Sequence, residues 1–301
     1  MSTQSSNFGS LRDPGLKLIW GLGFKDWPKE YSEFFREENS KRAYEDSLSM
    51  SAFGLFPTKA EGKGITYDDA IQGPTRRQTH ITYGKGFIVT REMMEDDLYN
   101  QINKLPKALA RSGVITIEQT AANVLNRAFN ASYTGADGVS LCNASHVRVD
   151  GGGYSNTIAI AADLDLTSLE QALIDIAAFV DDRGILIQAR PKKLVVPTAL
   201  AWQCARILKS TDDPETANRS INPARGIIPQ GFVVNHYLTD PDAWFITTDL
   251  NDTEGLVCYW RRRPDFGVDN EFDSENRKYK STFRVSFGWD DPRGIYGSPG
   301  A

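Results

Sequence analysis

Histidine and cysteine, which supply much of enzyme chemistry, are scarce in this sequence. The 301 residues include three of each. They are His80, His146, His236, Cys142, Cys204 and Cys258. The cysteines are odd in number and far apart, which is typical of reduced thiols in a cytoplasmic protein rather than of a disulfide framework. The HExxH, GxGxxG and GxSxG patterns do not occur, so the corresponding zinc, dinucleotide and serine-nucleophile sites are not predicted.

Long apolar runs and an excess of positive charge are also lacking. No stretch of about 18 apolar residues exists, so no membrane span is predicted. The start, MSTQSSNFGS, has neither the basic residues nor the apolar run of a secretory signal. The formal net charge of -5 excludes a global basic field that would attract nucleic acid or an anionic membrane.

One pair of residues has the spacing of a reactive site. Cys142 and His146 are four positions apart, which suits half a metal site or a thiol and imidazole pair. No second pair at zinc spacing follows. A cysteine-dependent hydrolase remains an alternative, but the sequence predicts no catalytic, cofactor-binding or metal site.

The sequence does contain an unusually long helical pattern between Thr90 and Tyr133. Its apolar residues recur in steps of three and four: Met94, Leu98, Ile102, Leu105, Leu109, Ile117, Ala121, Val124, Leu125, Ala128 and Phe129. Thr90 is the expected N-cap, and Pro106 is expected to kink the helix or to start a new one. One helix over this range would span roughly 60 Å. A compact chain of this length has a radius of gyration of about 19 Å, so we expect an elongated subunit.

Two segments before this helix look unable to fold alone. An arm is expected over residues 1–50, where aromatic residues lie among charged residues. Either a helix from Pro28 to Tyr44 packs on its own core, or the arm docks its aromatic residues on a neighbouring subunit. The pattern over residues 51–90 predicts a long, glycine-rich β-hairpin with basic residues. An isolated two-stranded hairpin is only marginally stable in water.

The second half of the chain predicts a mixed α/β domain and a returning strand pair. Helices are expected over 164–180 and 198–209, with strands near 192–197, 231–238 and 244–248. Two further strands are expected over 256–262 and 280–287, joined by a charged loop. Arg261, Arg262 and Arg263 form a dense basic cluster, either a charged strand end or the partner of an acidic loop (269–275) across a subunit contact.

The arm, the hairpin and the long helix together predict a subunit whose exposed segments are stabilised by contacts with further copies of the same chain. Repeated head-to-tail contacts close into rings or shells. We therefore expect that deleting residues 2–45 leaves a folded subunit that does not assemble. The expected inter-subunit contact residues are Trp20, Trp27, Phe34, Phe35, Lys59, Lys63, Arg76, Arg77, Arg261, Arg262 and Arg263.

Ordered local motifs along nearly the whole chain carry a family resemblance. They are DWPKEYSEFF (26–35), YDDAIQG (67–73), TYGKGFIVTREMMEDDLY (82–99), LPKALARS (105–112), SLCNASHV (140–147), VDDRG (180–184), PKKLVVP (191–197), VVNHYLTDPDAWF (233–245), WRRRPDF (260–266) and GWDDPRGIYGSPG (288–300). In this order they resemble the major capsid proteins of tailed phages, which have the Hong Kong 97 fold, and especially the Mu-like major head subunits.

The resemblance implies an α+β protein with named parts. They are an N-arm (1–50), an extended E-loop (51–90), a peripheral or P-domain with a long spine helix (91–150 and 256–290), an axial or A-domain (151–255) and a C-terminal segment (291–301). Some relatives crosslink an E-loop lysine to an asparagine. Lys59 and Lys63 match that lysine by location only.

The same resemblance implies a structural, non-enzymatic function without a cofactor. Subunits are expected to form hexamers and pentamers of an icosahedral head that encloses double-stranded DNA without sequence readout, and to assemble in the host cytoplasm. The implied partners are further copies, a separate scaffolding protein, a portal and a decoration protein, with no membrane. An encapsulin-type compartment, which shares the fold, is the alternative.

Overall fold

The structure is a computed structural model that describes residues 9–51, 53–96, 102–212, 221–271 and 273–301, with only the backbone described for 9–14. Five α-helices occur in these ranges: α1 (Gly9–Lys25), α2 (Arg91–Glu95), α3 (Lys104–Asn126), α4 (Leu166–Ala177) and α5 (Ala201–Lys209). The strands are β1 (Arg36–Asn39), β2 (Tyr44–Met50), β3 (Gln72–Thr79), β4 (Ile81–Val89), β5 (His146–Val147), β6 (Gly153–Tyr154), β7 (Pro191–Pro197), β8 (Phe232–Asn235), β9 (Trp244–Thr248), β10 (Leu256–Asn270), β11 (Arg277–Trp289) and β12 (Ile295–Ser298).

Two four-stranded sheets organise the fold. The first has the order β1-β10-β11-β4, and the second has the order β12-β9-β7-β8. A separate two-stranded ribbon, β2 with β3, leaves the first sheet, and β5 with β6 forms a small hairpin. Because β4 pairs with β11, residues 81–89 belong to the first sheet rather than to the ribbon.

The long helical pattern is divided in the structure. Thr90 caps α2 as expected, since its side chain accepts the backbone N–H of Met93 at 3.2 Å. A second helix, α3, begins at Lys104, so Pro106 lies in its first turn, where no intrahelical donor is needed. With 23 residues α3 spans about 35 Å, and the expectation of one helix of roughly 60 Å is wrong. Leu98, one of the apolar residues of the predicted pattern, lies outside the described residues.

The strand pair β10 and β11 is longer than expected. The charged stretch 264–279, predicted to be a loop, is mostly strand, and only residues 271–276 connect the two strands. Phe266 and Tyr279 explain the difference. They stack with ring centroids 5.9 Å apart and are buried in a cluster with Trp20 of α1. A strand with one buried face needs few apolar residues, so its sequence looks polar.

The N-terminal segment folds onto its own subunit. Helix α1 packs on α3 and buries Trp20, which is 8% exposed. Phe34 and Phe35 are 3% and 4% exposed in the cluster that contains Leu125 of α3. Strand β1 then pairs in parallel with β10. The prediction that Trp20, Phe34 and Phe35 contact a neighbouring subunit is therefore corrected, and so is the expected helix from Pro28 to Tyr44.

The second sheet carries both predicted helices on one face. On β7, Leu194 and Val196 face a cluster formed with α4 and α5, while Val195 faces the cluster shared with the first sheet. Helix α4 starts as its local sequence predicts, because the Asp165 side chain accepts the backbone N–H of Ser168. Strand β12, which the sequence did not predict, closes this sheet along β9.

A buried carboxylate joins α3 to the N-terminal segment. Glu118 is 1% exposed, and its two oxygens accept the backbone N–H groups of Glu30 and Tyr31, each at 3.0 Å. Burial raises the pKa of Glu118 from 4.5 to about 7. The folded state therefore binds the proton of the Glu118 carboxyl group more tightly than the unfolded state does. The contribution of Glu118 to the free energy of unfolding is complete below pH 4.5 and is lost as the pH rises through 7.

We expect Glu118→Gln to remove this part of the pH dependence. Between about pH 4.5 and 7 the wild-type free energy of unfolding should fall relative to the variant by up to roughly 3 kcal/mol. Urea unfolding at pH 5 and at pH 7.5 measures this difference. The control is Glu61→Gln, which changes an exposed carboxylate and should keep the wild-type dependence. A Glu118→Gln curve parallel to that of the wild type would contradict the assignment.

Candidate assembly surface

The ribbon ends in an exposed segment, residues 51–71, which we call the ribbon tip. Its large apolar side chains lie in solvent, and the Phe56 side chain is fully exposed, at 101%. The others are Phe53, Leu55, Ile65, Tyr67 and Ile71. Monomeric proteins rarely expose apolar residues in such density, so the ribbon tip is a candidate contact surface. The predicted contact residues Lys59 and Lys63 lie on it and are exposed.

The base of the ribbon tip is fixed to Arg183, which lies in the chain between α4 and β7. Asp68 accepts the backbone N–H of Gly54 at 2.8 Å and binds the Arg183 guanidinium at 2.8 Å. Arg183 also donates to the backbone carbonyl of Asp69. The hydrogen bond from Gly54 and the hydrogen-bonded ion pair with Arg183 lower the pKa of Asp68. These contacts hold the two ends of residues 55–67 side by side.

Two predicted contact residues of the ribbon act within their own subunit. The Arg76 guanidinium lies over the Trp289 ring at 3.3 Å and donates to the Trp289 carbonyl at 2.9 Å. Arg77 binds Asp46 across the ribbon through two hydrogen bonds of 2.7 and 2.8 Å. Arg76 therefore anchors the ribbon to β11, and Arg77 holds its two strands together.

His80 lies between β3 and β4, where the ribbon joins the first sheet. The Ser40 hydroxyl donates to Glu45 at 2.6 Å, so it accepts from His80 Nε2 at 2.9 Å. His80 Nδ1 then accepts from the Ser286 hydroxyl at 2.9 Å. Burial and the nearby Arg284 lower the pKa of His80. The imidazole therefore links β1, through Ser40 after its end, to β11, through Ser286, by two hydrogen bonds.

The basic cluster on β10 is partly paired within the subunit. Arg263 binds Glu37 of β1 at 3.1 Å, while Arg261 and Arg262 are exposed. The acidic loop predicted to face this cluster across a subunit contact also has partners in its own chain. Its Glu271 binds Lys278 at 2.8 Å, and its Glu275 binds Arg91.

Cys142 and His146 do not form the pair that a hydrolase would need. Cys142 is 2% exposed, and burial raises the pKa of its thiol. Both ring nitrogens of His146 have other partners, Asp137 at 2.5 Å and Asn156 Oδ1 at 3.0 Å. Asn156 Nδ2 faces three carbonyls, so its Oδ1 is the acceptor and His146 Nε2 donates.

Asn156 joins three segments of the chain, which the sequence did not indicate. Its Nδ2 donates to the carbonyls of Leu141, Pro292 and Ile295 at 2.8, 3.0 and 3.1 Å. Its Oδ1 also accepts the backbone N–H of Asn143 at 2.8 Å. The side chain is wholly buried, so it ties the loop after α3 to the chain between β11 and β12.

Asn156→Ala should therefore destabilise the subunit by about 3–4 kcal/mol, because several buried polar groups lose their partner. Guanidinium unfolding of the unassembled subunit measures the loss. Asn103→Ala is the matched control, since the Asn103 side chain is exposed and does not cap α3. It should change stability by less than about 0.5 kcal/mol. Equal stabilities of the two variants would contradict the role of Asn156.

The predicted contact residues thus separate into two groups. Trp20, Phe34, Phe35 and Arg76 are used inside the subunit, and Arg77 and Arg263 form ion pairs there, whereas Lys59, Lys63, Arg261 and Arg262 are exposed. Trp27 is half-buried with the Arg111 guanidinium 5.0 Å from its ring. The exposed apolar residues of the ribbon tip were not among the predicted contact residues. Their signal was the presence of Phe, Leu and Tyr in a glycine- and proline-rich loop.

In the part of the chain that the structure describes, no helix is both long and apolar enough to cross a lipid bilayer. Within the same ranges, no three histidine, cysteine, aspartate or glutamate side chains are grouped so that they would hold a metal ion.

Comparison of the fold with solved structures identifies capsid-like shells. The capsid of Myoviridae phage XM1 is similar with a TM-score of 0.53 and 13% identity, covering 91% of this chain and 92% of that chain. A structure from Microbacterium phage Oxtober96 gives 0.52 and 11%, covering 90% of each chain. A virus-like particle from Pyrococcus furiosus gives 0.51 and 9%, covering 94% of this chain and 97% of that chain. At these identities the likeness establishes the fold, which is of the Hong Kong 97 type.

Sequence comparison identifies the family. No curated protein sequence matches the chain. The model of the family described as phage capsid protein matches residues 75–298, which is more than half of the chain. The chain therefore belongs to the phage capsid protein family and is a structural subunit of the virion shell.

Proposed function

We propose that this major capsid subunit assembles into hexamers and pentamers of an icosahedral head around double-stranded DNA. The exposed ribbon tip, with Phe56 fully in solvent, carries the proposal. A subunit that stays alone would leave this apolar surface in water, whereas overlap with a neighbouring copy would bury it. In this proposal the ribbon is the E-loop, and Lys59 and Lys63 contact the neighbour together with the exposed Arg261 and Arg262.

The proposed function is structural rather than catalytic. Family membership supports this, as does the use of Cys142 and His146 in a buried core. A separate scaffolding protein, a portal and a decoration protein are further proposed partners, and assembly takes place in the host cytoplasm. DNA is held without sequence readout, because a net charge of -5 gives no overall attraction for phosphate.

Electron microscopy of the purified protein tests the proposal. We expect closed shells or rings of five and six subunits, and a protein that stays monomeric at every concentration and salt would contradict it. Particles recovered from a host that makes the complete set of head proteins should contain nuclease-resistant double-stranded DNA. Particles that enclose a protein cargo without DNA would instead support the encapsulin-type alternative.

A further inference from the structure

Helix α4 exposes an acidic and apolar stripe. Glu170, Ile174 and Ala177 follow one another in steps of four and three, so they share one face of the helix. All three are exposed, and Ile174 is 63% exposed although it is a large apolar side chain. We call these three residues the acidic stripe.

Helix α5 exposes a stripe of the opposite character with the same spacing. Trp202, Arg206 and Lys209 also follow in steps of four and three and are all exposed. Trp202 is 82% exposed, which is unusual for a tryptophan. Within the described part of the chain, no carboxylate lies within 4.0 Å of Arg206 or Lys209, and no cation lies that close to Glu170. We call Trp202, Arg206 and Lys209 the basic stripe.

The two helices cover opposite edges of one sheet. Helix α4 lies near the β12 edge, where Asp175 accepts a hydrogen bond from the Tyr296 hydroxyl at 2.6 Å. Helix α5 lies near the β8 edge, where the Lys209 ammonium is 5.3 Å from the centre of the Phe232 ring. The sheet order β12-β9-β7-β8 separates these edges by two strands. Both stripes are exposed on the surface of their own subunit, and within the described residues no ion pair joins them.

We propose that the basic stripe of one subunit packs against the acidic stripe of a second copy. Trp202 covers the Ile174 and Ala177 side chains, and Arg206 and Lys209 pair with Glu170. A large aromatic residue beside charged partners is typical of the residues that dominate interface energy. The contact joins different surfaces of identical chains, so its repetition gives a ring when the rotation between successive copies closes, as the proposed five- and six-fold assemblies require. The inference rests on the proposed function and identifies the surfaces that hold its pentamers and hexamers together.

Cysteine crosslinking tests the contact directly. The double variant Ile174→Cys/Trp202→Cys, treated with a short bis-maleimide, should give a ladder of covalent oligomers that ends at five and six subunits. The matched controls are the two single variants, each of which has only one side of the contact and should give no ladder. The native Cys142, Cys204 and Cys258 are buried, so the single variants also report any reaction at them.

Charge exchange tests the pairing. Glu170→Lys and Arg206→Glu should each reduce the yield of rings or shells by about tenfold or more, because like charges then meet at the contact. Combining them should restore most of the yield. Arg190→Glu, at an exposed position outside both stripes, should leave the yield unchanged. Circular dichroism confirms that each variant is folded.

The outcomes separate this inference from the proposed function. Shells without a ladder, and with unchanged yield in both single exchanges, would overturn the stripe contact and leave the capsid function standing. A ladder from protein that forms no shell would support the contact and count against the proposed function. The absence of both shells and ladder would overturn both.

Discussion

Deletion of residues 9–40 is expected to leave a chain that does not fold. This segment contributes Leu16, Trp20, Tyr31, Phe34 and Phe35, all at most 8% exposed. At about 2 kcal/mol for each buried side chain, the deletion removes roughly 10 kcal/mol of apolar burial. That is comparable with the whole stability of a typical domain, about 5–15 kcal/mol. It would also expose the apolar face of α3 and remove β1 from the edge of the first sheet.

Circular dichroism and analytical ultracentrifugation of the deletion variant measure this effect. We expect loss of cooperative thermal unfolding and recovery of the protein mainly as aggregate. A soluble variant with a cooperative transition would contradict the structure, and would support the expectation from the sequence that residues 2–45 serve only assembly. Phe35→Ala provides a milder version of the same test and should cost about 3–5 kcal/mol.

Shortening the ribbon tip is expected to abolish assembly while leaving the subunit folded. Replacing residues 55–67 with an Asn-Gly turn should leave the subunit folded, because Gly54 and Asp68 are already hydrogen-bonded to each other. The deleted side chains are exposed, so stability should change by less than about 1 kcal/mol. Assembly into shells should be lost, since the proposed E-loop contact is gone.

Thermal unfolding and electron microscopy of this variant measure the two effects separately. The deletion of residues 9–40 serves as the comparison, because it removes buried rather than exposed side chains and should abolish folding. Normal shells built from the shortened variant would refute the proposed role of the ribbon tip. A variant that fails to fold would show that the tip belongs to the core of the subunit.

Helices α4 and α5 were predictable because their signals are local. The apolar residues of α4 recur at helical spacing, and Asp165 supplies the cap three residues before the N–H that it accepts. The alternation from Lys280 to Phe287 likewise indicated a strand with one apolar face. Such patterns depend only on neighbours in the sequence, so they need no knowledge of the fold.

The errors concern contacts between distant residues. The strand over 264–270 was missed because its burial depends on Phe266 meeting Trp20, whose ring centroid is 5.7 Å away. The division of the long helix was anticipated only as one possible effect of Pro106. For the candidate surface, the sequence identified the exposed Lys59 and Lys63, but not the exposed Trp202, because helical spacing alone does not show which face is covered.

The sequence by itself determined the helix and strand periods, the Thr90 cap and, through the order of its motifs, the family resemblance. Only the tertiary structure decided which chain buries the aromatic residues of the N-terminal segment. An amphipathic pattern indicates that a face will be buried but not against which surface. That choice depends on pairings such as Arg36 with Val257, which are far apart in sequence and adjacent only in the folded subunit.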